Sequence, residues 1–313
     1  MLALTIDLGG SHVSGAIVNE TGIVVQRTIS ATAQSFQDLL PPLETMVASL
    51  FHAAGILQES CNGIAFGFPG AVDCRTSRVL ATNAKFEDAI RFDFQTWARQ
   101  RFGCRLVLEN DARLALIGEH YCGAAHGFDD AAMILLGTGI GTAVLLGGRP
   151  LRGQKNQAGS LGGHLPVRLH GRRCTCGSIG CAEAEASTWA LAVICREWPE
   201  FSQSSLAHVR DIDFRALFSA MDDGDTVASE VFEYCMDIWG ALALAMTHAY
   251  SPQVLIFGGG VLARAGDILP AMQARLSRDA WTPGGAVVVK ASALGSSAAL
   301  RAVIPLLQEI SSA

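Results

Sequence analysis

The stretch Leu2-Ala3-Leu4-Thr5-Ile6-Asp7-Leu8-Gly9-Gly10-Ser11-His12-Val13-Ser14-Gly15-Ala16-Ile17-Val18 decides how this chain folds. Leu2–Ile6 and Val13–Val18 are apolar runs of strand length, and Asp7-Leu8-Gly9-Gly10-Ser11 between them is a turn. So tight a connection predicts an antiparallel pair. Asn19-Glu20-Thr21-Gly22 makes another turn, and Ile23–Arg27 continues the sheet. The layout then recurs. Ala132–Leu136 reads as a strand, Gly137–Gly141 as a turn and Thr142–Leu146 as a strand. The recurrence predicts an internal duplication, two similar halves with a cleft between them.

Between and beyond these stretches the chain alternates. Phe36–Ala53 has helical spacing, and Gly63–Gly67 is a strand ended by Phe68-Pro69-Gly70. Ala89–Phe102 reads as a helix. Arg105–Glu109 is a strand running into Asn110-Asp111, and Ala112–Gly123 is a helix. Further helices are expected at Ser187–Trp198 and Val227–Tyr250. Gln253–Phe257 is a strand ending in Gly258-Gly259-Gly260, followed by a helix over Ile268–Ser277. Val287–Ala291 is a strand and Ser297–Leu307 a helix. No long linker or low-complexity tract interrupts the series.

The 313 residues suffice for two domains, and 50% hydrophobic against 17% charged residues marks a packed globular chain. The net charge is −6, and no basic run exceeds Arg172-Arg173, which argues against nucleic acid as a partner. Ala131–Gly148 carries no charge, but the glycine turn at its centre makes it a strand pair, not a membrane span. The opening Met1-Leu2-Ala3-Leu4-Thr5 has neither the basic start nor the cleavage site of a signal peptide. A cytoplasmic protein with reduced thiols is expected. Cys61, Cys74, Cys104, Cys122, Cys195 and Cys235 are then ordinary small side chains.

The other three cysteines differ. Cys174, Cys176 and Cys181 follow His164 within one short segment. One imidazole and three thiolates suit tetrahedral Zn²⁺, and four protein ligands make a closed, structural site. Thiolates argue against Mg²⁺ and Ca²⁺, which take oxygen. Glu183 lies two residues past Cys181, so a metal clamp would fix it relative to the loop before His164.

Three glycine turns follow strands: Asp7-Leu8-Gly9-Gly10-Ser11, Leu136-Gly137-Thr138-Gly139-Ile140-Gly141-Thr142 and Gly258-Gly259-Gly260. Glycine lets backbone amides approach phosphate oxygens, and successive amides form anion nests. No Gly-x-x-x-x-Gly-Lys-Ser/Thr motif is present, which excludes a P-loop enzyme. Asp7 ends a buried strand, where a carboxylate either holds a hydrated Mg²⁺ or caps its own turn. Asp111 sits at a strand–helix junction. There it either takes a hydroxyl proton as general base or serves as a helix N-cap.

Taken together, these residues resemble the ROK family of sugar kinases, within the actin-like ATPase superfamily. The matching pieces are Asp7–Ser11, Gly67-Phe68-Pro69-Gly70-Ala71-Val72-Asp73, Glu109-Asn110-Asp111-Ala112, Leu136–Gly141, Cys174–Glu183 and Phe257-Gly258-Gly259-Gly260-Val261. They cover nearly the whole chain in family order. The resemblance implies an α/β, two-domain actin-like ATPase (ribonuclease H-like) fold with an interdomain cleft. One domain would hold 1–112 with 295–313, the other 113–294 and the zinc segment. It further implies ATP and Mg²⁺ beside structural Zn²⁺, a small-molecule sugar as substrate, and a homodimer. Asp111 looks like the catalytic base. Gly70, Asn83, Asn110, His164 and Glu183 look like sugar contacts, with His164 also on zinc. Gly9, Gly10, Ser11, Gly137, Thr138 and Gly139, with Asp7, look like the phosphate and Mg²⁺ side. Gly258, Gly259 and Gly260 lie where the family holds adenosine.

Two departures stand out. The first phosphate loop usually continues Thr-Lys, and here it is Ser11-His12. A sugar-binding Glu usually precedes the zinc segment. Here the run is Ala158-Gly159-Ser160-Leu161-Gly162-Gly163-His164, which puts Leu161 or, with one inserted glycine, Ser160 in its place. A site that loses a buried acceptor loses discrimination for that hydroxyl. The family also includes repressors, which carry a helix-turn-helix before the first strand; Asp7 leaves no room for one here. A sugar sensor without catalysis is the remaining alternative to a kinase.

Overall fold

β1 (Leu2–Leu8) and β2 (His12–Asn19) pair antiparallel, with Leu8 opposite Val13 and Leu2 opposite Asn19. The computed structural model describes residues 1–82 and 85–311, without the side chains at 310 and 311. Asn83 lies outside the described residues. β3 (Gly22–Ser30) extends the pair on one side, and β4 (Ile64–Phe68) joins β1 in parallel on the other. A ribbon of β5 (Gly70–Asp73) and β6 (Arg78–Thr82) comes next in the chain, before β7 (Leu106–Asn110) adds in parallel to β4. The sheet order is β3-β2-β1-β4-β7.

The second sheet repeats this order. β8 (Ala131–Leu136), β9 (Ile140–Leu146), β10 (Arg149–Pro150), β11 (Val254–Gly258) and β12 (Val288–Ala291) lie as β10-β9-β8-β11-β12. β11 is parallel to both β8 and β12. In each sheet a hairpin flanks the central strand on one side and two parallel strands follow on the other, as the internal duplication predicts.

α1 (Phe36–Ala54) begins where Ser35 accepts from the Asp38 N–H at 3.0 Å. Its buried residues Phe36, Leu39, Leu43, Val47 and Leu50 recur at three- and four-residue spacing and make one apolar stripe. The Phe36 and Phe66 rings meet at 6.1 Å and those of Phe66 and Phe94 at 5.2 Å. The single helix expected over Ala89–Phe102 is two pieces. A 3-10 turn at Glu87–Arg91 precedes α2 (Phe94–Phe102), because Asp93 accepts from the Thr96 N–H at 3.0 Å and starts a new helix. α3 (Asp111–Cys122) follows β7 directly.

The helix expected over Ser297–Leu307 is also divided, into 3-10 turns at Gly295–Ser297 and Ala299–Arg301 and then α9 (Val303–Ser311). Here the backbone lies hard against α3: a Cβ on Gly118 would sit 1.8 Å from Ala298 O. Earlier in the chain come α4 (Ala182–Ala186), α5 (Thr188–Arg196), α6 (Phe214–Asp222), α7 (Thr226–Tyr250) and α8 (Ala265–Asp279). Fully buried Trp239 of α7 donates from Nε1 to Ala186 O at 3.0 Å, pinning α4.

The chain divides into two compact units. One comprises Met1–Asp129, Ala143–Ser160 and Ser292–Ala313; the other comprises Asp130–Thr142 and Leu161–Ala291. No helix among the described residues is long and apolar enough to cross a membrane. None of the nine cysteines is in a disulfide.

Candidate active site and metal centre

In the first unit the carboxyl ends of β1, β4 and β7 come together. Asp7 lies beside Gly67 in register, and Gly67 beside Glu109. Gly67 leaves little room for a side chain. A Cβ there would stand 2.9 Å from Asp7 Oδ1 and 3.6 Å from Asp111 Cα. Asp7 and Asp111 thus flank one small residue. Burial, and then the charge of Asp111, push the Asp7 carboxyl up to about 8. Two carboxylates at one spot favour a cation or a proton beside them.

Asn110 orders this corner. Its Oδ1 accepts from the Arg113 N–H at 3.1 Å, so Asn110 is the N-cap of α3. Its Nδ2 donates to Gly70 O at 3.2 Å and to Asp111 Oδ1 at 2.9 Å. Asp111 Oδ1 also accepts from the Ala112 N–H at 2.8 Å. The capping role that competed for Asp111 therefore falls to its neighbour. Asp111 stands in the first turn of α3.

Behind them lies an ion network that the sequence reading missed. Fully buried Glu109 accepts from Arg113 Nη1 at 2.6 Å, from the Asn110 N–H at 2.9 Å and from Arg152 Nε at 2.9 Å. Arg113 Nη2 reaches the carbonyls of Asn156 and Ala158 at 3.3 and 3.2 Å. The four-residue spacing of Glu109 and Arg113 was the available signal. Such a buried pair fixes geometry more than it adds stability.

The second unit gathers the other turns. The carbonyls of Gly137 and Thr138 accept from the Thr188 and Trp189 N–H groups, both at 3.1 Å, at the start of α5. Buried Glu183 accepts from the Ile140 N–H at 2.9 Å and from Trp189 Nε1 at 3.3 Å. Gly258 pairs with Leu135, so the turns ending β8 and β11 are neighbours. Gly259 caps and Gly260 opens the 3-10 turn Gly260–Arg264.

His164 ends a 3-10 turn at Gly162–His164 that lies flat on β9. A Cβ on Gly163 would stand 2.0 Å from Ile140 O. Gly163→Ala is therefore expected to lower Tm and displace His164, at a cost of about 1–3 kcal/mol as for other overpacked buried sites. Thermal melts check it; an unchanged Tm would show that the turn yields freely.

The Nδ1 or Nε2 atom of His164 and the Sγ atoms of Cys174, Cys176 and Cys181 all lie within 4.8 Å of one another. Cys174 Sγ is 3.5 Å from His164 Nδ1, and Cys176 Sγ is 3.7 Å from Cys181 Sγ. A tetrahedron with Zn–S bonds of ~2.3 Å has edges of about 3.8 Å, so the donor set fits zinc in number, chemistry and spacing. Behind the cluster is Glu185, a second residue that sequence reasoning missed. It is buried and accepts from Arg172 Nη1 at 2.8 Å, from the Arg172 N–H and from the Tyr234 hydroxyl. These bonds tie the Arg172–Cys181 loop to α4 and α7.

Comparison with known proteins gives a consistent result. The model of the ROK family matches residues 3–309. A glucokinase of Thermotoga maritima is 30% identical over 271 residues, covering 84% of this chain and 83% of that one. The structure of a ROK family glucokinase from Streptomyces griseus, in complex with glucose and AMPPNP, superposes with a TM-score of 0.81 at 28% identity, covering 99% and 100% of the two chains. The DNA-binding transcriptional dual regulator NagC of Escherichia coli is 26% identical over 181 residues, 58% of this chain and 44% of that one. The fold is the actin-like ATPase fold of ROK sugar kinases.

Proposed function

This chain belongs to the ROK family, and from that premise we propose that it transfers the γ-phosphoryl of Mg-ATP to a sugar hydroxyl, the primary one at carbon 6. The observation that supports this best is the convergence of Asp7 and Asp111 on Gly67 at the carboxyl ends of parallel strands, where open α/β sheets bind ligands. Asp111 orients the hydroxyl and takes its proton as the new P–O bond forms. Asn110 holds that carboxylate through Nδ2. The amides of Gly9, Gly10, Ser11, Gly137, Thr138 and Gly139 hold phosphoryl oxygens, and Gly258–Gly260 border the adenosine. Asp7 is the residue to hold Mg²⁺, which neutralises phosphoryl charge when bound. Gly70, Asn83, Asn110, His164 and Glu183 contact the sugar.

Zinc on His164, Cys174, Cys176 and Cys181 serves as a clamp that keeps His164 and Glu183 in place. Cys176→Ser should lower bound zinc, Tm and sugar affinity together, since metal binding couples to folding. Full activity in a zinc-free sample would overturn the role. With Ser160 or Leu161 in place of a carboxylate, the site discriminates less at one hydroxyl than typical glucokinases do. We further propose a cytoplasmic homodimer.

The test is an ADP-release assay over hexoses and N-acetylhexosamines. The similarity to NagC supports a second reading, a sugar-responsive sensor without kinase activity. Sugar binding with no ADP release from any sugar would favour the sensor.

A further inference from the structure

The ammonium of Lys85 donates to two backbone carbonyls, Gly10 O at 2.7 Å and Ala31 O through a second, short contact. Both acceptors border the first glycine turn, far from Lys85 in sequence. A lysine normally leaves its charge in water or against a carboxylate. This one is partly buried, and no carboxylate of the described residues pairs with it. Burial holds its ammonium below the ordinary lysine value. A long side chain immobilised on two carbonyls is ordering something.

What it orders is the direction of the turn's amides. In a trans peptide the C=O of one residue and the N–H of the next point opposite ways. With Gly10 C=O drawn to Lys85, the Ser11 N–H is turned away from it. The next carbonyl, Ser11 O, accepts from the Ala31 N–H at 2.8 Å, so it is drawn toward the same residue that Lys85 grips. Among the described residues no acceptor takes the Gly10 or Ser11 N–H, and both residues are exposed. Successive outward amides on a glycine turn make a concavity for an anion.

We propose that Lys85 is a positioning residue of the nucleotide site, gripping Gly10 O and Ala31 O so that the Ser11 amide faces an ATP phosphate. The inference rests on the kinase reading above. The positive charge on Gly10 O also polarises that peptide, which makes the Ser11 N–H a stronger donor.

The experiment compares wild type with Lys85→Met, Lys85→Gln and Lys85→Arg. Affinities for AMPPNP with Mg²⁺ and for the best sugar are measured by calorimetry at several salt concentrations, alongside steady-state kinetics. Lys85→Met and Lys85→Gln should weaken AMPPNP about 10-fold or more, the scale of a lost hydrogen bond to a charged group. Both should raise KM for ATP, leave sugar affinity unchanged and flatten the salt dependence of nucleotide binding. Lys85→Arg, which keeps charge and donors, should recover most of the loss.

Wild-type AMPPNP affinity in Lys85→Gln would overturn the inference while leaving an active kinase untouched. So would equal losses of sugar and nucleotide binding, which mark a general disturbance. A wild-type protein that binds no nucleotide and turns over no sugar would remove the kinase reading and this inference with it. Should Lys85→Met fail to fold, Lys85→Gln against Lys85→Arg carries the same contrast.

Discussion

Asp111→Asn should cut turnover by ~10²-fold or more with the best sugar, the lower end expected for a lost positioned base. The fold should survive. Asn keeps an oxygen to accept from the Ala112 N–H and from Asn110 Nδ2, the two bonds that Asp111 Oδ1 now takes. The cap of α3 is untouched because it belongs to Asn110. Sugar affinity should change little, so the loss should fall on kcat rather than KM. A Tm near wild type with kcat down by that factor is the expected pair of results. Near wild-type turnover would mean that proton removal is done elsewhere.

The outline of this corner could be read from sequence, and its detail could not. The strand into Asn110-Asp111 and the helix after it follow from an apolar run meeting two residues that disfavour helix interiors. Which of the two caps depends on one residue of register, and Asp and Asn have nearly equal preference for that place. The break at Asp93 was of the same kind. An apolar run hid a capping carboxylate, and helical spacing alone carried Ala89–Phe102 across it. The division near Ala298 has no local signal, since it comes from backbone packed on Gly118 of another helix. The grouping of His164 with Cys174, Cys176 and Cys181 was legible because the four are near neighbours of rare type. Lys85 on Gly10 was not, for the two lie 75 residues apart.

Asp7→Asn should both abolish turnover and stabilise the protein. The Asp7 carboxyl is raised from 3.8 to about 8 by burial and by Asp111. The folded state therefore holds a proton there that the unfolded state releases near its ordinary value. Stability from this group is intact below about 4, falls as pH rises, and is fully lost above about 8. That is the reverse of a salt-bridged aspartate. A rise of this size corresponds to a destabilisation of several kcal/mol at alkaline pH.

Asn carries no charge, so the variant should melt above wild type, with a gap that widens from pH 5 to pH 8. Mg-ATP should narrow the gap, since a cation beside Asp7 favours the charged carboxylate in wild type only. The variant should bind Mg-ATP poorly. Thermal melts across pH, with and without Mg-ATP, check both parts; a gap that closes as pH rises would contradict the sign.

The first unit is assembled from three stretches, and the last begins only at Ser292. Leu300, Ile304 and Leu306 from that stretch are almost wholly buried, and Leu307 closes over Gly63 at the head of β4. During synthesis the sheet of β1, β2, β3, β4 and β7 must wait with this face uncovered while Asp130–Thr142 and Leu161–Ala291 of the second unit are made, at ~5–20 residues per second. The second unit is complete once Ala291 has emerged, so it can close before the first. Order of synthesis therefore does not set the order in which the two units can close. The ribosome-bound intermediate exposes an apolar sheet face for roughly ten seconds or longer, the kind of surface that chaperones hold.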